Sequence, residues 1–353
     1  MVRSAADQSP APGAPGARAA ARDGAGGPVP ADAAGRRDAG VIVVAAVVVG
    51  AAVARPLLAG LLDHAAVANW ATIFVAITVQ AMPFLALGVA VSAAVAAYVP
   101  PGALPRLLPR RPALAVPTAA AAGIALPGCE CGSVPIAGRL VDQGVAAPAA
   151  LAFLLAAPAI NPVVLVATAV AFPHRPEVVL ARFVASLAAA IAVGLLWARR
   201  RPGARGDVER RRAAPAASGG SRAAVLLATA QHDLLHAGGF LIVGAATAAT
   251  LQTVIPRAAL DAVAGAGPLS VVALAVLAVV MAICSEADAF IAASLTQFSL
   301  TARLAFMVVG PMVDVKLIAL QAGTFGRRFA VRFAPLTLAV AILCSLVVGW
   351  WLL

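Results

Sequence analysis

Charge is what this sequence has least of. Only 12% of its 353 residues are Asp, Glu, Lys or Arg, where an average soluble chain carries about 25%. With 62% hydrophobic residues beside it, that shortage excludes a water-soluble globule and makes the chain an integral membrane protein. Lysine is nearly absent: Lys316 stands alone among 26 basic residues, an imbalance read as genomic base composition. There is no G-x-x-x-x-G-K-[ST] phosphate loop, so ATP drive would need another subunit. The four cysteines contain no C-x-x-C and, in a membrane chain, give no disulfide framework. Neither an enzyme nor a cofactor is read from these residues.

The net charge of +11 would point to nucleic acid in a soluble chain. Here the arginines fall between apolar runs, as they do at cytoplasmic membrane flanks. The expected partners are therefore the lipid bilayer and a small-molecule or ion substrate, with no nucleic acid, in a multi-pass protein of the plasma membrane. A homo-oligomer is allowed and not required.

Residues 1–39 mix Ala, Gly, Pro, Arg and Asp without a packable face or the apolar core of a signal peptide, and are expected to form a disordered cytoplasmic tail. An extra span follows within 40–65, a first membrane repeat within 66–198, a basic cytoplasmic linker at 199–222 with eight arginines, and a second repeat within 223–353. The spans are read as 41–62, 68–99, 145–172, 178–198, 223–255, 302–321 and 331–353, with Pro83 separating an interfacial piece from the second. The segments 113–126 and 268–283 fall short of the roughly 20 residues a crossing needs and suit halves of re-entrant hairpins. If both crossed, the Arg106–Arg111 loop and the linker would lie on opposite sides. If each returns to its own side, 20 of the 26 basic residues become cytoplasmic. The expected fold is thus all-α, with about seven full spans plus two re-entrant hairpins or broken helices.

Two matches indicate internal repetition. Phe84-Leu-Ala-Leu-Gly88 precedes Pro100 by the same distance that Phe240-Leu-Ile-Val-Gly244 precedes Pro256, and Ala152 through Asn161 aligns without gaps to Ala305 through Asp314. An odd number of crossings per copy makes the two copies inverted repeats, a transporter design with its site where they meet.

Each copy carries a polar break. The first holds PGCECGSVP, with Cys129, Glu130, Cys131 and Gly132; the second holds CSEADAF, with Cys284, Ser285, Glu286 and Asp288. At mid-bilayer an ionised side chain costs about 2.5–3.5 kcal/mol on insertion scales, so Glu130, Glu286, Asp288, Asp314 and Lys316 must face protein or water. The candidate substrate contacts are Cys129, Glu130, Cys131 and Gly132 with Asn161, and Cys284, Ser285 and Lys316 from the second copy. Glu286, Asp288 and Asp314 are the candidates for proton coupling. Asp314 and Lys316, two apart, would not face each other on a helix, which assigns Lys316 to Glu286 or Asp288. Thiols suit a soft ligand, though small cysteines also pack well in crowded breaks. His232, Asp233 and His236 have metal-like spacing but fall at an interface, and no metal site is assigned.

PGCECGSVP, the AFLLAAPAINP run, CSEADAF and GPMVDVK resemble the predicted-permease family that includes the organoarsenical efflux permeases, over roughly Phe74 to the C-terminus. The resemblance implies a membrane permease, some of whose relatives export trivalent organoarsenicals. Glu130 stands where those exporters are expected to carry a small residue such as Ser. A secondary transporter for a small, thiophilic solute accounts for repeats, breaks and buried charges together. The alternatives are a membrane thiol redox protein and a non-transporting membrane scaffold.

Overall fold

The computed structural model describes residues 65–100, 102–109, 111–126, 129–199, 221–254 and 268–353. The expected tail, the 41–62 span, most of the basic linker, Pro127, Gly128 and Arg257 lie outside the described residues. Among these residues every regular element is a helix.

The elements come twice in the same order. The first series is α1 (Ala65–Tyr98), a short α2 (Ala103–Leu107), α3 (Pro112–Ala122), α4 (Glu130–Asp142), α5 (Ala147–Ile160), α6 (Pro162–Ala171) and α7 (Pro176–Arg199). The second is α8 (Arg222–Val254), α9 (Pro268–Met281), α10 (Asp288–Ser294), α11 (Leu300–Val309), α12 (Val315–Phe325) and α13 (Arg327–Leu352). Among the described residues, each α-helix of the first series except α2 has its counterpart in the second.

Helices α1, α5 with α6, α7, α8 and α13 are each long and apolar enough to cross a bilayer. Two expectations about them change. Helix α1 runs through Pro83 without a break, since the neighbours of a membrane helix can satisfy the group a proline frees. The predicted span at 302–321 is two short helices, α11 and α12, parted at 310–314. Hydropathy does not register that break, because Gly310-Pro311-Met312-Val313 is itself apolar.

The break after α5 and the break after α11 are closed in one way. Asn161 Oδ1 accepts from Val164 N at 3.0 Å, and Asp314 Oδ1 accepts from Leu317 N at 2.6 Å. Both side chains cap the following helix, satisfying a backbone donor that has no intrahelical partner. The aligned Asn161 and Asp314 are thus the N-caps of α6 and α12.

Helices α1 and α8 lie side by side and antiparallel: Trp70 Nε1 donates to Thr250 Oγ1 at 3.0 Å near one end, and Ser92 Oγ donates to Asp233 Oδ2 at 2.9 Å near the other. The repeated glycine is where each meets its neighbour. A Cβ on Gly88 would stand 2.4 Å from the backbone of Gly132 in α4, and one on Gly244 2.6 Å from Cα of Lys316 in α12. Every residue of α5 is buried, and most of α11 with it. Trp197 of α7 meets Phe329 and Phe333 of α13 edge-on at 5.3 and 5.4 Å, tying the last helices of the two series together.

Candidate functional site

The first break is tighter than its sequence suggests. Cys129, with an extended backbone, is the N-cap of α4, and the helix begins at Glu130 and runs through Pro135. Cys129, Glu130, Cys131, Gly132 and Ser133 are all buried. The second break runs from Ala282 to Ala287, after which Asp288 opens α10. Both helices therefore carry a carboxylate in the first turn, where the helix dipole favours negative charge.

Those two carboxylates are met by cations of the opposite series. Lys316 Nζ of α12 lies 2.6 Å from Glu130 Oε1. Arg182 Nη2 of α7 lies 2.8 Å from Asp288 Oδ2, and the same guanidinium donates to Thr168 Oγ1 at 2.8 Å and to the carbonyl of Ser285 at 3.1 Å. All four charged side chains are buried. Helix α4 accordingly packs on α12, and α10 on α6. Removing one partner of such a pair would leave an uncompensated buried charge, which costs more than the pair contributes.

The pairing of Lys316 differs from the sequence reading. It meets Glu130, not Glu286 or Asp288, and it does face Asp314, whose Oδ2 lies 3.4 Å away. The i, i+2 rule fails here because Asp314 is a cap outside the helix. A third bond, to the carbonyl of Ala282 at 2.8 Å, ties Lys316 to the second break. Arg182 is the fifth residue of the apolar 178–198 run, and no motif singles it out. The insertion cost applied to the carboxylates applies to it equally.

The two breaks converge on a cavity of about 190 Å³ whose lining includes Gln80, Cys129, Glu130, Cys131, Cys284 and Lys316. The ligand atoms of Cys129, Glu130 and Cys284 all lie within 4.8 Å of one another. Cys129 is grouped with Cys284 across the two series, while Cys131 lines the same cavity. The Cys284 thiol also contacts the Glu286 carboxylate. Glu130 Oε2, Ser285 Oγ and Glu286 Oε1 are buried without a hydrogen-bond partner among the described residues. Two thiols and a carboxylate can hold a soft or borderline cation. Gly132 is spent on the contact with α1, and Asn161 on its cap.

The trio His232, Asp233 and His236 makes no such group. Asp233 joins Ser92 and Arg139 Nη2, the latter at 3.3 Å, while His232 and His236 stack at 5.8 Å on an exposed face. Cys344 is half-buried against the apolar core of α13.

A family model described as "Predicted permease" matches residues 66–350. The UPF0718 protein YcgR of Bacillus subtilis (strain 168) is 34% identical over 288 residues, 78% of this chain and 96% of that protein. A Streptococcus mutans protein, provisionally named a two-component membrane permease complex subunit, is 32% identical over 289 residues, 78% of this chain and 94% of its own. No solved structure matches the chain at a significant level. The matched span takes in both element series and the cavity between their breaks, and the chain belongs to the predicted permease family, as a multi-pass membrane protein.

Proposed function

We propose that this permease is a secondary transporter whose two series are inverted repeats and whose cargo, a small thiophilic solute, sits between the breaks against Cys129, Glu130, Cys131 and Cys284. The observation that carries this reading is the gathering of donors from both series: Cys129 and Glu130 from one, Cys284 from the other, within 4.8 Å. The antiparallel run of α1 and α8 supports inversion, since these helices open the two series. Transporters of inverted-repeat design bind at the repeat interface and expose the site to each side in turn.

The direction we propose is efflux from the cytoplasm across the plasma membrane, with proton coupling through Glu286. Asp288 is held by Arg182, and Asp314 is engaged as a cap and beside Lys316. Glu286 is partly exposed, touches the Cys284 thiol, and keeps one oxygen free.

One assay tests the reading: uptake of Cd2+ and of a trivalent organoarsenical into inside-out proteoliposomes. Cys129→Ser and Cys284→Ser abolish transport of the thiophilic cargo, with the protein inserted at normal levels, while Cys344→Ser transports normally. Glu286→Gln keeps exchange and loses uphill transport. Normal transport by Cys129→Ser/Cys284→Ser would assign the thiols to packing and overturn the proposal.

A further inference from the structure

The cavity already holds a cation. Lys316 Nζ lies between two fully buried carboxylates, 2.6 Å from Glu130 Oε1 and 3.4 Å from Asp314 Oδ2. Asp314 Oδ1 is spent on Leu317 N, whereas Oδ2 has no hydrogen-bond partner among the described residues. On the other side, Glu130 Oε2 is unpartnered and the ligand atoms of Glu130, Cys129 and Cys284 lie within 4.8 Å of one another. The alignment that pairs Asn161 with Asp314 puts Val163 opposite Lys316. The ammonium is therefore particular to one copy and not a repeated structural part.

A neutral cargo would gain little from a buried carboxylate. A divalent cation gains directly from it, and a set of two cysteines and one carboxylate suits a borderline or soft metal such as Zn2+ or Cd2+, leaving one coordination position open. That same carboxylate must not cross the membrane bare when the carrier returns empty, because an unpaired buried charge is costly.

We infer that the cargo is a thiophilic divalent cation and that Lys316 is its resident stand-in, seated on Glu130 in the empty carrier and moved over to Asp314 when the cation loads. The inference rests on the substrate reading above. On loading, metal–sulfur bonds form at Cys129 and Cys284 as their S–H bonds break, the two protons leave into the cavity, and a metal–oxygen bond forms at Glu130. No electron changes hands. Unloading reverses each step, and the ammonium returns to Glu130.

The test is Cd2+ binding by titration calorimetry to the purified full chain in detergent, with a phosphine reductant. Lys316→Met binds Cd2+ about 10-fold more tightly than wild type and Asp314→Asn about 10-fold more weakly, the size of coupling expected between neighbouring groups. The Lys316→Met/Asp314→Asn double variant binds like Lys316→Met, because Asp314 matters only as a seat for the ammonium. If the two effects add, Asp314 acts on the metal by charge alone and the stand-in role is overturned. It is equally overturned if Lys316→Met binds Cd2+ no better than wild type. Lys316→Gln replaces Lys316→Met should that variant fail to fold, and the Asp314→Asn weakening is read independently of both. Cd2+ binding that is absent from wild type, or that persists in Cys129→Ser/Cys284→Ser, overturns the substrate reading itself.

Discussion

Arg182 shows how much one residue decides here. Its guanidinium is fully buried and reaches Asp288 Oδ2, Thr168 Oγ1 and the carbonyl of Ser285 together. Arg182→Gln leaves Asp288 without its cation, and breaking a buried pair from one side costs about 3–5 kcal/mol. We expect that variant to insert poorly and to aggregate at lower temperature, measured by size-exclusion of heated detergent extracts. Arg182→Gln/Asp288→Asn should recover most of the loss, since the orphaned charge goes with its partner. Full stability of the single variant would show that the pair is not structural. At this scale the sequence is readable wherever cost alone is the signal: Glu130, Glu286, Asp288, Asp314 and Lys316 had to face protein or water, and four of them are buried while Glu286 is partly exposed. It is not readable wherever the answer depends on where a helix starts. The sequence pairs Lys316 with Glu286 or Asp288 only if Asp314 is helical, which it is not, and no local motif marks Arg182 as the partner of Asp288.

At the level of elements, the repeated Phe-x-x-x-Gly marks two close crossings. Gly88 brings α1 onto α4, and Gly244 brings α8 onto α12 at the residue that pairs with Glu130. Small residues at membrane helix contacts let backbones approach, and a larger side chain forces them apart. Gly88→Val and Gly244→Val should each separate their crossing and lose transport, whereas Gly238→Ala, with open space about its Cβ position, should leave transport and thermal stability unchanged. Normal transport by both valine variants would mean the crossings tolerate separation. The repeat Phe-x-x-x-Gly marks a close crossing in each copy, but on partners that are not counterparts, α4 for the first and α12 for the second. The break between α11 and α12 was hidden because its residues are as apolar as the helices beside it, and only the Gly310-Pro311 pair and the capping Asp314 gave a local sign. The start of α4 was hidden for the opposite reason: glycines and prolines around 127–135 read as a long loop, although a proline early in a membrane helix is tolerated.

Over the whole molecule, the expectation still to be measured is which side each break opens from. With α1 and α8 antiparallel, hairpin topology places the 106 and 139 positions on one face of the membrane, that of the basic linker. Single cysteines at Arg106 and Arg139, in a background lacking the native four, should both react with an impermeant maleimide added to inside-out vesicles and neither with reagent added to whole cells. Labelling from opposite sides would make the short segments crossings and the two series parallel. The solitary lysine has a further use. Because Lys316 is the one side-chain primary amine in 353 residues, an amine-directed acylating reagent has this cavity as its one side-chain target, the α-amino group of the chain aside. The Lys316 adduct falls on a peptide of its own, separate from that of the α-amine, so a mass spectrum taken from native membranes reports how often the site is open without any engineered label.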